Sequence, residues 1–533
     1  MRKHFAIILS VSFILLVFFL LDYPLIKSYV KPPAGSRFYG ATGYYFDYYQ
    51  FLSWMRDGWN GKILIRSKYI PEIEKQVLFQ PLFPTLGMLS RLVNLPIDIT
   101  YHLGRNVFIL TWILSIWYLI KTILDSSKSR KLALLLMLFS SSFPYVSKTY
   151  GAIKLLPIID FWQSFYTLQK FMIPLHHGLA NTLFNCLLIL LMRLPLRQLA
   201  DRNDGRGETR IIVKIVVVSI IIMLVNPALM TFMLAVLGIV SVCLRKGSPY
   251  KEFIIIFLSV LPLMLYNFYL FNYGNPWQYY YYGEKVGRYL VSYISYLASL
   301  GPLLLTAGLS FVYIRKFRFN HILLALWAFL PVASFPFVGR QLPYSMSRLF
   351  SLNVFIPCSI LTVFFWENFQ PKKETAKMFQ AVIALFLIIS LSSGFIFSLS
   401  QTYDTPTPSY YNVLLPDKLM DAINFINKNS RPSVTILAGE NISNLLPAFT
   451  DNQVVLGRLD SRLDYGKVKQ AVDSIYLRQI GDDKITEQLK KWAVQYIIFG
   501  LDHIGYDQFV KKGKVNGIEE VFRSGDVVVG EVK

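Results

Sequence analysis

The sequence has few charged residues and little cysteine. Only 16% of its 533 residues are charged, whereas 54% are hydrophobic, and its mean hydropathy is +0.43. Because soluble globular domains carry about 25% charged residues, this composition points away from that class. The three cysteines, Cys186, Cys243 and Cys358, lie far apart in or beside apolar segments. Their spacing argues against both a disulfide framework and a cysteine-ligated metal.

Acidic residues are also scarce. The chain has 54 Lys and Arg against 32 Asp and Glu, which gives a net charge of +22. In a soluble protein such an excess would suggest nucleic acid as the partner. Here the basic residues cluster in short loops between apolar runs, which is the pattern of cytoplasmic loops in membrane proteins. We therefore predict the lipid bilayer as a partner and no nucleic acid.

Apolar runs long enough to cross a bilayer recur along residues 1–398, since about 20 apolar residues span its hydrocarbon core. The first run, Phe5–Leu21, begins like a signal peptide, but no small-residue cleavage site follows it, so we predict a retained helix. A break is expected at Asn226-Pro227. The pattern predicts about eleven transmembrane helices, the others being Arg105–Leu124, Leu132–Val146, His176–Met192, Ile211–Val225, Leu229–Leu244, Phe253–Phe271, Tyr289–Ile314, Ile322–Phe337, Leu349–Trp366 and Met378–Ser398.

The basic loops predict how this α-helical polytopic bundle is oriented. With the N-terminus in the cytoplasm, the loop at Lys128–Lys131, the five-arginine loop between Arg193 and Arg210, and the loop at Arg315–Arg318 all fall inside. The same alternation places residues 31–104, here called the first loop, outside the cytoplasm. Everything after Ser398 falls outside as well.

The tail, residues 399–533, differs from the rest in composition and pattern. Its apolar runs are short, charges return, and helix and strand signals alternate. We predict two domains: a transmembrane domain over 1–398 and a small soluble α/β domain over 399–533. The predicted helices are Pro416–Asn427, Tyr465–Ile480 and Lys484–Ala493, and the predicted strands are Val434–Ala438, Val494–Phe499, Glu519–Phe522 and Val527–Val532.

An acidic residue stands within a run of aromatic residues in the first loop. Asp47 lies in the stretch Gly43–Gly61, among six aromatic residues between Tyr44 and Phe51. Written as a helix, this stretch would lie in the membrane interface, where aromatic rings are half wet and half buried. A carboxylate there faces the level at which a lipid phosphate and a water-borne substrate can meet. The alternative is an interfacial anchor in which Asp47 only caps or solvates the helix.

Other polar residues fall at the predicted outer ends of the spans, where ionisable groups are a hint of function. The alternative for each is that arginines snorkel to headgroups and histidines bond within the bundle. The two adjacent histidines make a weak metal site, because neighbours on a helix point about 100° apart. These candidates are Arg56, Asp57, His102, Arg105, His176, His177, Arg340 and Arg348.

The order of these elements resembles the GT-C class of integral-membrane glycosyltransferases. The similar proteins are bacterial and carry a first loop of the form Asp-x-x-x-Tyr/Phe-Leu-x-x-Ile/Met-Arg-x-Gly-x-x-Gly, which here runs from Asp47 through Arg56 and Gly58 to Gly61. The likeness continues at Gln80–Gly87 and Tyr101–Arg105. In the tail it covers Leu437–Thr450 and Val454–Gly457. It extends over nearly the whole chain in architecture.

The resemblance implies an enzyme with a lipid-linked substrate. In the GT-C class the first-loop acid acts as general base or binds the acceptor or a metal, and that role passes by position to Asp47. The donor would be a sugar on a polyprenyl phosphate, and transfer would invert the anomeric carbon. Arg105, Arg340, Arg348 and His176 are candidates for binding the donor phosphate. Arg56, Asp57, His102 and His177 are secondary or acceptor-site candidates, the acceptor being a glycan, lipid or protein.

The same resemblance leaves metal dependence unsupported. Many GT-C enzymes carry a second acid close to the first. Here the nearest is Asp57, which would lie about 80° around the helix from Asp47. We therefore assign no metal ligand among the site residues. The expected donor is the polyprenyl-phosphate-linked sugar, and a divalent metal stays an open alternative that the residues do not support. The implied location is a bacterial cell membrane with the tail outside the cytoplasm.

Two other classes of protein remain open at this level. A lipid or polysaccharide transporter would also be basic, polytopic and rich in interfacial aromatic residues, but it would normally show internal repeats or charges in mid-span. The sequence has no such repeat. A non-catalytic envelope-assembly protein with a degenerate GT-C fold matches the sequence as well as an active enzyme does.

Overall fold

The chain forms two compact units in the computed structural model. The helical unit comprises Met1–Leu21, Arg105–Asn267 and Glu284–Asp404, and the α/β unit comprises Asp22–Gly104, Phe268–Gly283 and Thr405–Lys533. The structure describes residues 15–16, 18–19, 22–41, 45–72, 75–149, 152–157, 175–200, 205–244, 249–274, 277–279, 292–314, 319–337, 348, 352–369, 375–403, 413–458, 461–462, 464–501, 505–511 and 517–533.

Helices dominate both units. They are α1 (residues 22–30), α2 (Tyr45–Trp59), α3 (Leu82–Leu92), α4 (Ile97–Ile123), α5 (Ser127–Phe139), α6 (His176–Ala200), α7 (Gly205–Val225), α8 (Pro227–Cys243), α9 (Tyr250–Tyr273), α10 (Tyr293–Ser299), α11 (Gly301–Leu309), α12 (Phe319–Ser334), α13 (Phe355–Asn368), α14 (Ala376–Tyr403), α15 (Asp417–Asn429), α16 (Glu440–Phe449), α17 (Tyr465–Tyr476), α18 (Asp482–Lys491) and α19 (Tyr506–Lys511).

Most described helices from α4 to α14 are apolar. By length and composition, α4 and α9 can cross a membrane, and α10 and α11 with the turn after them make a third span if that pair, bent by 82°, counts as one. Shorter apolar helices include α8, α12 and α13. Of the predicted first span, residues 15–16 and 18–19 are helical and the rest lies outside the described residues.

One predicted break in the bundle is confirmed. Helix α7 ends at Val225 and α8 begins at Pro227. The side chain of Asn226 accepts a hydrogen bond from the backbone N–H of Leu229 at 3.2 Å. Proline at the first helical position needs no such partner. Asparagine and proline therefore end one helix and start the next.

The prediction of a third span over Leu132–Val146 was wrong. Helix α5 ends at Phe139, and a hairpin of β2 (Pro144–Thr149) and β3 (Ala152–Pro157) follows it. Between them lie three serines, and the N–H of Ser141 donates to the carbonyl of Ser390 at 2.9 Å. Serine competes with the helix for backbone hydrogen bonds and proline cannot donate one, so the apolar run does not continue as a helix.

The tail builds a five-stranded sheet. Its order is β6 (Gln453–Val454), β5 (Thr435–Leu437), β7 (Val494–Phe499), β9 (Val527–Val532) and β8 (Ile518–Ser524). The first three strands are parallel and the last two pairings are antiparallel. Side chains of β5, β7, α17 and α18 form one apolar core, which includes Leu437, Val472, Ile485 and Ile497.

The sequence predicted most of these tail elements. The helices expected at Pro416–Asn427, Tyr465–Ile480 and Lys484–Ala493 are confirmed as α15, α17 and α18, and the strand Val494–Phe499 is confirmed as β7. The expected strands near Val434–Ala438, Glu519–Phe522 and Val527–Val532 correspond to β5, β8 and β9. Their alternating patterns are local and can be read from short windows. Helix α16 and strand β6 were not predicted.

The first loop belongs to the same unit as the tail. Strand β1 (Ser36–Phe38) pairs antiparallel with β4 (Leu414–Pro416). Helix α2 packs on α3 and on α16. The aromatic rings predicted to lie in the membrane interface are largely enclosed by protein: Tyr48, Tyr49 and Phe51 are buried, and the rings of Phe51 and Phe83 stack with centroids 4.2 Å apart.

Two glycines let α2 and α3 cross closely. A Cβ atom on Gly87 would stand 1.8 Å from the carbonyl oxygen of Met55, and one on Gly58 would stand 1.9 Å from that of Pro84. No side chain fits at either place, because the backbones are in direct contact. Gly61, just after α2, has a φ of +81°, which glycine adopts at no steric cost. The glycines of the first-loop motif therefore shape the helix that carries Asp47.

Candidate active site

Asp47 lies in the first turn of α2 and reaches the surface. Its side chain is 38% exposed, whereas the residues that follow it, Tyr48 through Met55, are buried. A carboxylate in the first turn is favoured by the partial positive charge of the helix N-terminus. The aromatic residues that surround Asp47 in sequence thus anchor the helix and leave the acid accessible.

The cation beside Asp47 comes from the tail. Nη2 of Arg458 lies 2.8 Å from Oδ1 of Asp47, and Nη1 of the same guanidinium donates to the carbonyl of Phe46 at 2.9 Å. The Arg458 side chain is only 12% exposed. One guanidinium thus contacts two successive residues of α2, with charge-assisted bonds of ordinary length.

The backbone around Arg458 is fixed on two sides. The N–H of Val455 donates to the carbonyl of Ile436 at 3.2 Å, and that of Val454 donates to the carbonyl of Lys68 at 3.0 Å. A Cβ atom on Gly457 would stand 2.0 Å from the carbonyl oxygen of Tyr69. The segment that follows β6 is therefore held between the sheet and the first loop, and only glycine fits directly before Arg458.

Arg56 and Asp57 take part in a separate ion-pair network. The Nζ of Lys68 lies 2.9 Å from Oδ1 of Asp57, and both side chains are almost fully buried. Nε of Arg56 lies 3.0 Å from Oδ1 of Asp451, and Nδ2 of Asn60 donates to the same oxygen at 2.8 Å. Removing one partner of a buried pair costs about 3–5 kcal/mol, because a charge is left unpaired. This network fastens the C-terminal half of α2 to the tail.

The neighbouring positive charges lower the pKa of Asp451. Burial alone would raise it. The positive charges of Arg56 and Lys68, with the hydrogen bonds from Arg56 and Asn60, bring the pKa of the carboxyl below its usual value. Asp451 is therefore ionised throughout the physiological range and keeps the network intact there.

His102 packs against α2 from the start of α4. Its ring stacks on that of Tyr48 with centroids 5.7 Å apart, and its Nε2 lies 3.1 Å from the carbonyl oxygen of Gly40. The hydroxyl of Tyr48 donates to the carbonyl of Tyr39 at 2.7 Å. Burial raises the pKa of the Tyr48 phenol well above its usual value, so it remains a donor. These contacts hold the N-terminal half of α2.

The remaining candidates belong to the helical unit. Arg105 is buried, and its Nη2 lies 3.1 Å from Oδ1 of Asn106. The rings of His176 and His177 lie with centroids 4.2 Å apart. Arg348 lies in the same unit. Arg340 lies outside the described residues.

The described part of the chain contains no group of three or more His, Cys, Asp or Glu side chains placed to hold a metal ion. The carboxylate of Asp57, the second acid of the first loop, is engaged by Lys68. At Asp47 the α/β unit therefore offers a partly exposed carboxylate next to an enclosed guanidinium.

Comparison by sequence gives no relative: neither a protein-family model nor a curated protein matches the chain. Comparison by structure does find similar proteins. ArnT from Cupriavidus metallidurans bound to undecaprenyl phosphate aligns with a TM-score of 0.53 at 13% identity, over 98% of this chain and 97% of that one. The oligosaccharyltransferase AglB from Archaeoglobus fulgidus, in complex with an inhibitory peptide and a dolichol-phosphate, aligns with a TM-score of 0.52 at 10% identity, over 92% of this chain and 69% of that one.

A third structure, the arabinofuranosyltransferase AftD from mycobacteria, aligns with a TM-score of 0.54 at 12% identity, over 97% of this chain and 41% of that one. This chain therefore spans about two fifths of AftD. All three are GT-C proteins. The chain has the GT-C fold. The predicted class, a helical polytopic membrane protein of GT-C architecture, is confirmed at the level of the fold.

Within this GT-C fold, sequence reasoning missed Arg458. Its signal was present, because Arg458 directly follows the tail segment Val454–Gly457 that resembles the GT-C tails. The sequence predicts cations near Asp47 only at the ends of the spans. It also predicts the tail as a separate domain, which gives no reason to expect a tail arginine beside Asp47.

Proposed function

We propose that this protein is an inverting glycosyltransferase that moves a sugar from a polyprenyl-phosphate donor to an acceptor outside the cytoplasm, with Asp47 as general base. One observation carries the proposal: on a GT-C fold, the first-loop acid is partly exposed and stands beside an anchored arginine. The ion pair engages one carboxylate oxygen, Oδ1. The second oxygen, Oδ2, is the one we assign to the acceptor.

The proposed reaction transfers one proton to Asp47 and one electron pair to the leaving phosphate. The acceptor hydroxyl gives its proton to Oδ2 of Asp47 as its oxygen attacks the anomeric carbon. The bond from that carbon to the phosphate oxygen breaks on the opposite side, and its electron pair leaves with the polyprenyl phosphate. A single displacement of this kind inverts the anomeric configuration. No metal is needed to balance it.

The donor phosphate needs a fixed positive partner, because negative charge grows on it as the bond breaks. Arg105, Arg340, Arg348 and His176 remain our proposed residues for this role. The structures of ArnT with undecaprenyl phosphate and of AglB with a dolichol-phosphate support a lipid phosphate as the carrier. Arginine suits such a site, since its planar fork binds phosphate oxygens in a bidentate way.

The orientation of the chain is part of this proposal. We expect the α/β unit outside the cytoplasm and the loop around Asn203 inside, as the basic loops predict. In intact cells an impermeant thiol reagent should label a cysteine placed at Ser430 and spare one placed at Asn203, both in a chain without its three native cysteines. The reverse labelling would invert the orientation and remove the Asp47 site from the outer surface.

The proposed reaction is tested with purified protein in vesicles that contain undecaprenyl-phosphate-linked pentoses and hexoses, with a crude envelope extract as the source of acceptors. We expect release of undecaprenyl phosphate together with a product of inverted anomeric configuration. A transporter would move the intact donor to the other leaflet and release no undecaprenyl phosphate. That result, or donor consumption with retention of configuration, would refute the proposed function.

A further inference from the structure

We propose that Arg458 is a positioning residue for the Asp47 carboxylate, so that the tail completes the active site. This inference rests on the proposed function of Asp47. Arg458 binds Oδ1 and thereby fixes the direction of Oδ2, the oxygen that takes the proton from the acceptor. A base acts efficiently only within hydrogen-bond reach of that proton, so a fixed direction raises the rate.

The contacts of the guanidinium support this role. Its Nη1 donates to the carbonyl of Phe46 at 2.9 Å, while its Nη2 lies 2.8 Å from Oδ1 of Asp47. Both bonds come from one rigid, planar group. The guanidinium therefore fixes the orientation of the carboxylate relative to the backbone of its own helix. Lysine would offer a single charged point on a flexible stem. It could neutralise the acid without fixing its orientation.

The position of Arg458 is itself set by backbone contacts. Gly457 lies so close to Tyr69 that an added Cβ would stand 2.0 Å from the Tyr69 carbonyl oxygen. The N–H of Val454 donates to the carbonyl of Lys68, so the segment has little freedom to slide along the first loop. The arginine begins from a fixed point and is mostly enclosed, while the acid it holds faces outward.

The competing explanation is that this pair only fastens the tail to the first loop. The unit contains a pair that serves as a comparison: Nε of Arg37, in β1, lies 2.7 Å from Oδ1 of Asp417, at the start of α15. Both of those side chains are largely exposed. It joins the same two parts of the chain without involving Asp47. Asp417→Asn is therefore a matched control for the loss of one such connection.

The experiment compares Arg458→Gln, Arg458→Lys and Asp417→Asn in the vesicle assay with undecaprenyl-phosphate-linked sugar, measuring kcat, the donor KM and the thermal midpoint. We expect Arg458→Gln to lower kcat by about 10²-fold, the loss typical of a misplaced catalytic group, with the donor KM unchanged. Arg458→Lys should recover only part of the rate. Added guanidinium ion should restore activity to Arg458→Gln, and Asp417→Asn should keep the parental kcat.

Parental kcat in Arg458→Gln would overturn the inference. So would a raised donor KM with unchanged kcat, which would make Arg458 a donor-binding residue instead. If Arg458→Gln does not fold, Arg458→Lys decides, since it keeps the charge: full activity in that variant contradicts a positioning role. An active Asp47→Asn protein would refute the proposed function, whereas an inactive Asp47→Asn protein beside a fully active Arg458→Gln protein would refute only the role of Arg458.

Discussion

Asp47→Asn is expected to lower kcat for sugar transfer by about 10²–10⁴-fold, the usual loss when an acid–base group is removed. Asparagine has the same shape, and its amide oxygen can still accept the hydrogen bond from Arg458. It cannot take the proton of an acceptor hydroxyl. The measurement is the rate of undecaprenyl phosphate release by purified protein in vesicles.

The fold should tolerate this change. The Asp47 side chain is 38% exposed, and asparagine keeps both its shape and an oxygen that can accept from Arg458. The elution profile and thermal midpoint should therefore stay close to those of the parent, with Asp417→Asn as the control for loss of an acid from the same unit. Transfer at the parental rate by a folded Asp47→Asn protein would leave α2 as an anchor and no base at this position.

Gly87→Ala is expected to destabilise the α/β unit strongly. The new Cβ would stand 1.8 Å from the carbonyl oxygen of Met55. Helices α2 and α3 would have to separate, which pulls apart the stacked rings of Phe51 and Phe83. Overpacking in a well-packed core costs about 1–3 kcal/mol, occasionally more. We expect a lower midpoint of thermal unfolding in detergent and a loss of activity, since α2 carries Asp47.

The control is Gly466→Ala in the same unit. Gly466 lies in α17 with open space where its Cβ would be. Alanine at a helical glycine without strain stabilises a protein by about 0.4–1 kcal/mol, so this variant should match or exceed the parental midpoint. If Gly87→Ala behaves like Gly466→Ala, the close crossing of α2 and α3 is not required for the fold.

Elements with a local signal were predicted well. The helix around Asp47, the break at Asn226-Pro227 and the strand Val494–Phe499 all follow from patterns within a short window. In the tail, period-2 and period-3.6 patterns predict the type of each element correctly. The predicted ends differ from the observed ones by a few residues. The GT-C fold was expected from a resemblance in the order of elements along the chain and in the first-loop motif.

Elements that depend on distant contacts were not predicted. Composition alone does not tell an aromatic ring that faces headgroups from one buried in protein, so Tyr48 and Tyr49 were placed at an interface although both are buried. The pairing of β1 with β4 joins strands of three residues each, too short for a clear pattern. The contact between Asp47 and Arg458 joins residues far apart in the sequence, and the tail segment before Arg458 does not indicate which residue the arginine contacts.

Because the chain is synthesised from its N-terminus, the two sides of this contact are made at different times. Phe46 and Arg458 are separated by 412 residues, and at about 5–20 residues per second a ribosome needs about 20–80 s to cover that distance. During this interval α2 has emerged, but neither β4 nor α16 exists to receive it. A nascent chain therefore carries the Asp47 carboxylate long before it carries the arginine, and a chain released before Arg458 cannot form this ion pair. The contact between the first loop and the tail can therefore form only when translation is nearly finished.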